Sequence, residues 1–318
     1  GDTLCTPKLA VSLPRVNYPK PNIHGALRLR NKADDEKLAV GLATLHEEDP
    51  TFLWRVDGEV HQTIISGQGE MHLQIIIERL RRRFGVEVDL EEPKVPYRET
   101  IRGKADSKYR HKKQTGGAGQ FAEVWMRIEP GPRDSGVDFT QSLVGTNVDR
   151  VFVPSVEKGV RTVCTEGVLA GYHVVDVKVD FYDGKMHPVD SKDIAFQIAG
   201  YFAFKEAFMN ARPCLLEPIY RISVTLPDTS LGDIMGDISS RRGRILGVES
   251  TGRFQVVNAL VPQKELYRYS TIVRSITGGR GVHAEELDHY EQMPAELEAK
   301  IVAEAKARRE AAHGNNHG

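Results

Sequence analysis

The sequence has 318 residues, of which 40% are hydrophobic and 27% are charged, and its formal net charge is -1. This length and composition predict a globular protein of two or three domains, and no apolar run approaches the roughly 20 residues that cross a bilayer. The small net charge excludes a global attraction to nucleic acid, so any binding to RNA must come from local clusters of basic residues.

The first predicted module covers residues 23–90 in the order strand, helix, strand, strand, helix, strand. Asp34 and Asp35 predict the N-cap of its first helix, and the Asp57-Gly58-Glu59 sequence predicts a hairpin turn. The second helix has apolar residues on one face and is expected to end at Gly85. This order is typical of a ferredoxin-like domain.

A middle segment differs in character and is predicted to form a separate domain. Its strand at 174–181 alternates strongly, and a long helix is predicted after an N-cap at Asp190. Ile194, Ile198 and Phe202 recur every four residues in this helix, so we expect them to stack along one side of it. Four prolines mark the boundaries of the segment: Pro93, Pro96, Pro213 and Pro218.

A second module with the same order of strands and helices occupies residues 219–287. Ser230 and Asp233 predict a capping box at its first helix, which is expected to end at the Arg241-Arg242-Gly243 sequence. The tail from Pro294 is rich in Ala, Glu, Lys and Arg. We predict a helix at the start of this tail and assign no structure to its last residues.

The sequence lacks the usual signatures of a catalytic or cofactor site. No GxxxxGK[ST] loop is present, and the glycine-rich stretches at 67–69 and 116–119 fit turns better than nucleotide sites. The eleven histidines form no H-x-x-x-H pair with a glutamate, and the three cysteines form no C-x-x-C pair. We therefore expect no catalytic residue, no metal and no cofactor in this chain, and an enzyme acting on small molecules is the least favoured class.

The clearest binding signal is a basic run that leads into a glycine-rich bend. Residues 102–113 contain six Lys and Arg residues against one Asp, and Gln114-Thr115-Gly116-Gly117-Ala118-Gly119-Gln120 follows. Basic and amide side chains beside a flexible backbone suit contact with an RNA backbone. The structural alternative is a solvated charged face with a hairpin turn, and composition alone favours that alternative.

Several ordered motifs together resemble domains III to V of elongation factor G. The resemblance covers residue 1 to about residue 293, and the GDTLC sequence at the start is similar to the end of domain II of that family. The motifs that carry it are HQTIISGQGEMHLQII at 61–76, KKQTGGAGQF at 112–121, LAGYHVVDVKV at 169–179, HPVDSKDIAF at 187–196, LLEPI at 215–219 and GDIMGDISSRRGRILG at 232–247.

The resemblance implies an α+β fold with three domains, in which two ferredoxin-like βαββαβ modules flank a ribosomal protein S5 domain 2-like α/β domain. Residues 1–15 would be the end of domain II and a linker, and 16–91 would be domain III. Residues 92–216 would be domain IV, the arm that reaches the decoding site. Domain V would occupy 217–293, followed by a tail at 294–318.

The function implied is that of the ribosome-binding part of a translation GTPase that promotes GTP-dependent translocation of tRNA and mRNA. GTP and Mg²⁺ would bind a GTPase domain absent from this chain. The implied partners are the ribosome, with its RNA and proteins, tRNA and mRNA at the decoding site, and that missing N-terminal domain. We expect a cytoplasmic monomer without a membrane segment.

The resemblance also implies which residues contact RNA or the ribosome. His187 has a structural alternative as a loop histidine that supports the predicted cap, and the arginines have one as cations at a helix carboxyl end. The residues carried over are Lys112, Lys113, Gln114, Thr115, Gly116, Gly117, Ala118, Gly119 and Gln120, then Thr146, Asn147 and Arg150, then His187, Asp190 and Ser191, and finally Arg241, Arg242 and Arg244 facing the large subunit.

Two departures from the family pattern keep other functions open. Ala118 stands where the family usually has Arg, and the sequence at 146–150 replaces a glycine and Ile-Pro segment. One alternative is an elongation factor G-like paralog, or a ribosome-protection or recycling GTPase, without translocase activity. A more distant alternative is a free-standing RNA-binding module.

Overall fold

The computed structural model describes residues 3–6, 8–113 and 119–314. The chain divides into two compact units, of which the first is Gly1–Val95 with Ile219–His289 and the second is Pro96–Pro218 with Tyr290–Gly318. Antiparallel sheets with helices packed on them confirm the predicted α+β class. None of the described helices is long and apolar enough to span a membrane.

The first module of the first unit is a four-stranded antiparallel sheet in the order β2-β3-β1-β4, as predicted for a ferredoxin-like domain. Two helices cover the sheet and bury Leu42, Leu45, Leu73 and Ile76 completely. Its elements are β1 (Ile23–Leu29), α1 (Asp35–Glu48), β2 (Leu53–Asp57), β3 (Gln62–Gly67), α2 (Glu70–Arg79) and β4 (Val88–Glu91).

The ends of these two helices agree with the sequence prediction to different degrees. The predicted side-chain cap at Asp34 is absent because this carboxylate accepts from Lys37 Nζ at 2.8 Å instead. A preceding 3-10 turn is capped by Asn31, whose side chain accepts from the backbone N–H of Ala33. Helix α2 continues through a π-helical turn and stops at Gly85, whose φ of 66° is left-handed, as the sequence predicts.

The second unit contains a four-stranded sheet in the order β6-β7-β9-β8, in which only β8 runs parallel to its neighbour. The helices α3 and α4 pack on one face of this sheet. The short strand at residues 98–101 pairs instead with residues 213–216. The elements are β5 (Arg98–Ile101), β6 (Ala105–Lys113), β7 (Gln120–Pro130), β8 (Val137–Gln141), α3 (Val153–Glu166), β9 (Val177–Lys185) and α4 (Asp193–Asn210).

The side of α4 that carries Ile194, Ile198 and Phe202 is not its buried face. Ile194 and Phe202 are 46% and 40% exposed, whereas small residues such as Ala199 and Gly200 are buried. A Cβ atom at Gly200 would lie only 2.8 Å from the backbone oxygen of Val156 in α3. The helices approach so closely that only small residues fit between them, so the larger side chains of Ile194 and Phe202 lie toward solvent.

The second module of the first unit has the sheet order β11-β12-β10-β13, which confirms the repeated ferredoxin-like order. The predicted capping box is absent, because Ser230 has φ -106° and ψ 5° rather than an extended conformation and makes no side-chain cap bond. The elements are β10 (Pro213–Pro227), α5 (Leu231–Ser240), β11 (Arg244–Thr251), β12 (Phe254–Pro262), α6 (Tyr269–Ile276) and β13 (Val282–Gln292).

The tail forms α7 (Ala295–Gly314). Ala305 is only 3% exposed and packs in a small apolar cluster with Leu215 and Ala170 of the same unit. The predicted helical start of the tail is therefore confirmed, and the helix extends further than the sequence predicts.

Candidate nucleic-acid interface

The basic run of the middle module is strand β6, and its alternation separates the side chains onto two faces. Tyr109 points to the helical layer and stacks on Phe202 of α4 with a centroid distance of 5.1 Å. Lys112 and Lys113 lie exposed at the end of the strand. Gln120 begins the return strand and Gly119 precedes it. The predicted site residues Gln114, Thr115, Gly116, Gly117 and Ala118 lie outside the described residues.

A loop that follows β9 contains His187, Asp190 and Ser191. The Nδ1 atom of His187 accepts from the backbone N–H groups of Val189 at 3.4 Å and Asp190 at 3.3 Å. The same nitrogen also lies 3.4 Å from Asp190 Oδ2, so the loop holds the ring through Nδ1. His187 is 53% exposed, so its remaining ring nitrogen is available to a ligand.

Asp190 and Ser191 join this loop to the end of the hairpin. The backbone N–H of Gly119 donates to Asp190 Oδ1 at 3.1 Å, and that of Phe121 donates to the Asp190 carbonyl at 3.0 Å. The Ser191 hydroxyl donates to the Phe121 carbonyl and accepts from the His187 N–H, both at 2.8 Å. The prediction that Asp190 caps α4 is wrong, because the helix begins at Asp193 and this carboxylate is used by Gly119.

A third loop, before α3, contains Thr146, Asn147 and Arg150. The Asn147 carbonyl accepts from the backbone N–H of Met186 at 3.2 Å, and its side-chain amide donates to Asp183 at 3.3 Å. Thr146 and Arg150 are exposed. Residues 112–113 and 119–121 of the hairpin therefore meet the segments 142–150 and 186–192 at one end of the module, which we call the tip.

The exposed charges of the tip are suited to an anionic ligand. Within the described part of the chain, neither Lys112 nor Lys113 has an ion-pair partner, although many other surface cations do. Arg150, Lys185 and Lys192 add further exposed cations nearby in the chain. A polyanion can therefore bind without first breaking protein ion pairs.

Neither a metal nor a small cofactor has an obvious place in the described residues. No group of three or more His, Cys, Asp or Glu residues among them could hold a metal ion. A cleft lined by His24, Tyr267 and Glu285 in the first unit has a volume of only about 50 Å³. This is far below the roughly 300 Å³ from which cofactor pockets begin. A second hollow of about 430 Å³ is an open depression along α3, lined by side chains of that one helix.

Three family models match the chain one after another along its length. Elongation Factor G, domain III matches residues 18–92, Elongation factor G, domain IV matches 93–212, and Elongation factor G C-terminus matches 214–301. The chain belongs to the elongation factor G family. The described residues of the tip all lie within the segment that matches domain IV.

A solved structure is similar to nearly the whole chain. The chain is 40% identical to a protein from Thermus thermophilus whose crystal structure superposes with a TM-score of 0.83. The match covers 92% of this chain and 44% of that one, so this chain spans less than half the length of that protein.

The C-terminal domain of this elongation factor G family member holds the predicted arginines in different ways. Arg241 donates to both oxygens of Asp237 at 2.8 and 3.3 Å and to the Glu265 carbonyl at 2.8 Å, so its partners are a side chain of α5 and a carbonyl outside that helix rather than the carbonyl groups at the helix end. Arg242 has a left-handed φ of 59° and lies 3.5 Å from Glu265. Arg244 is exposed on β11, and a contact with the large subunit remains a prediction for all three.

Domain IV also places together residues that the sequence does not single out. Glu123 is 6% exposed, and its carboxylate accepts from Arg110 Nε at 2.5 Å and from Trp125 Nε1 at 2.8 Å. Burial raises the pKa of this carboxyl, but the hydrogen bonds from Trp125 and Arg110 outweigh burial and lower it. The alternation of residues 106–112 could have identified strand β6, and with it this cluster.

Proposed function

We propose that this chain is the ribosome-binding part of a translation GTPase and that its tip contacts RNA at the decoding site during GTP-dependent translocation of tRNA and mRNA. The observation that carries this proposal is the tip, where Asp190 and Ser191 hold two loops together beside exposed Lys112 and Lys113. Membership of the elongation factor G family supports it.

The proposal assigns the chemistry of GTP hydrolysis to a part of the protein outside this chain. GTP and Mg²⁺ would bind an N-terminal GTPase domain, and this chain would contribute no catalytic group. The chain would act as a cytoplasmic monomer with the ribosome, tRNA and mRNA as partners. Its role is therefore mechanical, because it would convert a nucleotide-dependent movement into contacts at the decoding site.

A second candidate function is that of an elongation factor G-like paralog without translocase activity. The observation in its favour is the departure from the family pattern at Ala118 and at residues 146–150, of which the second lies at the tip. A paralog with this tip would bind ribosomes and hydrolyse GTP through its missing domain, and it would act in recycling or ribosome protection.

The test is multiple-turnover translocation on purified ribosomes by the full-length protein, with GTP hydrolysis followed in the same reaction. Hydrolysis coupled to translocation is the expected result. Hydrolysis without translocation would replace the first candidate by the second, and the absence of ribosome-stimulated hydrolysis would contradict both. A His187→Ala variant that hydrolyses GTP normally but translocates slowly would assign the defect to the tip.

A further inference from the structure

The solvent face of the domain IV sheet carries a row of cations beside a row of aromatic rings. On β6 the residues Lys108, Arg110 and Lys112 alternate outward, about 6.8 Å apart from one to the next. Their partners in the register of β7 are Trp125, Glu123 and Phe121 in the same order. The opposite face of β7 is buried under the helices, so these side chains form a surface of their own.

A second aromatic ring on β9 extends this surface. Tyr182 lies 6.3 Å from Trp125, ring centroid to ring centroid, at an interplanar angle of 65°. Lys108 Nζ lies 3.9 Å from the centroid of Trp125, and the Arg127 guanidinium lies 5.0 Å from that of Tyr182. Each ring is therefore paired with a cation, and both rings remain partly exposed.

The buried carboxylate of Glu123 holds the centre of this surface in place. It orients the indole of Trp125 through Nε1 and the guanidinium of Arg110 through Nε. The Arg110 side chain nevertheless stays 59% exposed. A ligand would therefore meet a ring and a cation that are already positioned, which lowers the entropic cost of binding.

The charges along the surface indicate which end binds an anion. At the end of the sheet away from the tip, acidic side chains neutralise the cations. Asp106 pairs with Arg127. Glu129 pairs with Lys104 and also lies 3.9 Å from Lys178. Toward the tip the exposed cations outnumber the acids. They are Lys108, Arg110, Lys112 and Lys185, against Asp183 and the buried Glu123.

We propose that this surface, formed by Lys108, Arg110, Lys112, Trp125, Tyr182 and Lys185 and here called the sheet face, binds a single strand of RNA. Unpaired bases stack on Trp125 and Tyr182, and the phosphates contact the row of cations. Aromatic rings on a flat sheet suit unpaired bases, because bases in a duplex are already stacked on each other. The inference rests on the proposed RNA contact of domain IV and extends that contact from the tip to the sheet.

The two tryptophans of the chain make a direct test possible. A Trp54→Phe variant of this chain keeps Trp125 as its only indole, and a Trp125→Phe variant keeps Trp54. We expect a single-stranded oligoribonucleotide without self-complementarity to quench the first variant saturably and to leave the second unchanged. Equal quenching of both, no quenching of the first, or equal quenching by an RNA duplex would overturn the proposal.

A second measurement separates the sheet face from the tip. Lys108→Gln keeps the fold and should weaken binding of the same oligonucleotide, and Trp125→Leu should weaken it about tenfold or more, as expected for the loss of one stacking partner. Lys178→Gln is the matched control, because this lysine lies on the same sheet near Glu129.

The outcomes distinguish the two proposals. If the face variants bind RNA as tightly as the parent while a Lys113→Ala variant binds weakly, the sheet face is excluded and the tip contact stands. If the face variants lose binding and the tip variant does not, the sheet face is confirmed for free RNA. If the parent chain binds no RNA at all, the sheet face proposal fails, and ribosome binding must be tested separately.

Discussion

Glu99 is fully buried, and it shows how one residue organises a loop that the sequence marks only as a motif. Its carboxylate accepts hydrogen bonds from five consecutive backbone N–H groups at 2.6 to 3.0 Å. The donors are Val168, Leu169, Ala170, Gly171 and Tyr172. The LAGY sequence that resembles the elongation factor G family therefore has a structural role in this chain.

Replacing Glu99 by Gln should destabilise the protein strongly. The NH2 group of Gln cannot accept a hydrogen bond, so some of the five buried backbone N–H groups would lose their acceptor. We therefore expect the free energy of unfolding to fall by about 3 kcal/mol or more. Denaturant titration measures the free energy of unfolding, and Glu206→Gln at an exposed position is the control. A loss no larger than that of the control would show that water satisfies these groups.

His283 predicts a pH dependence of stability. Its side chain lies on β13 and is only 3% exposed, and this burial lowers its pKa. The groups around it are Glu285 at 3.4 Å, which opposes the shift, the Tyr269 ring, and His24, which also contacts Glu285. Because the folded pKa lies below that of the unfolded chain, this group's stabilising contribution is complete above about pH 6.5 and decreases as pH falls through that value.

A His283→Leu variant should therefore lose less stability than the parent between neutral and mildly acidic pH. Urea midpoints at pH 7.5 and 5.5 measure the difference, and the partly exposed His111 offers a control position. Parallel pH profiles of parent and variant would mean that His283 does not titrate in this range.

The elements show what periodicity can and cannot predict. The two ferredoxin-like modules were predictable because each strand and helix repeats an apolar pattern of its own. Strand β6 was missed, since its outward residues are charged and its inward residues, such as Ser107 and Tyr109, are polar or amphipathic. The apolar spacing in α4 did not identify its buried face, because α3 approaches so closely there that only small residues fit.

The contact between α3 and α4 makes a prediction about packing. A Cβ atom at Gly159 would clash with the Gln197 carbonyl oxygen, so Gly159→Ala should force the helices apart and cost about 1 to 3 kcal/mol. The control is Gly236→Ala at an exposed position of helix α5. Nothing lies within 4 Å of a Cβ atom there, and the better helix propensity of Ala should stabilise the protein by about 0.5 to 1 kcal/mol. Thermal unfolding measures both changes, and we expect a lower midpoint than the parent's for Gly159→Ala and a higher one for Gly236→Ala.

The tip makes a prediction about salt dependence. If Lys112 and Lys113 contact phosphates, replacing both by Ala should weaken ribosome binding of the full-length protein. It should also reduce the slope of the logarithm of affinity against that of salt concentration by about one unit for each lost contact. Lys158→Ala on the exposed side of α3 is the matched control. An unchanged slope in the double variant would exclude contact between these lysines and RNA.

Much of this site could not be predicted from the sequence alone. The basic run and the glycines indicated an RNA contact, and the resemblance supplied the other two loops. The bonds from Asp190 and Ser191 to Gly119 and Phe121 join residues about seventy positions apart. Such polar contacts follow no periodicity, so spacing predicted a helix cap where the structure has a link between loops.

At the scale of the whole molecule, the first unit combines two modules that are distant in sequence. Arg274 of α6 donates to the Gln68 carbonyl at 3.1 Å, and Thr271 donates to Glu70 at 3.3 Å. Lys264 also pairs with Glu92 at 2.6 Å. These contacts are polar and lie at the surface, so the apolar pattern of neither module predicts that the two modules pack together.

The contacts of Arg274 should matter for local order more than for total stability. Exposed polar pairs contribute about 1 kcal/mol or less, so an Arg274→Ala, Glu70→Ala double variant should unfold at nearly the parent's denaturant midpoint. Amide hydrogen exchange at residues 67–70 should nevertheless be faster, because this turn loses its anchor on α6. Arg253→Ala in the exposed β11–β12 turn is the control, and unchanged exchange at 67–70 in the double variant would mean that the two modules do not maintain this contact in solution.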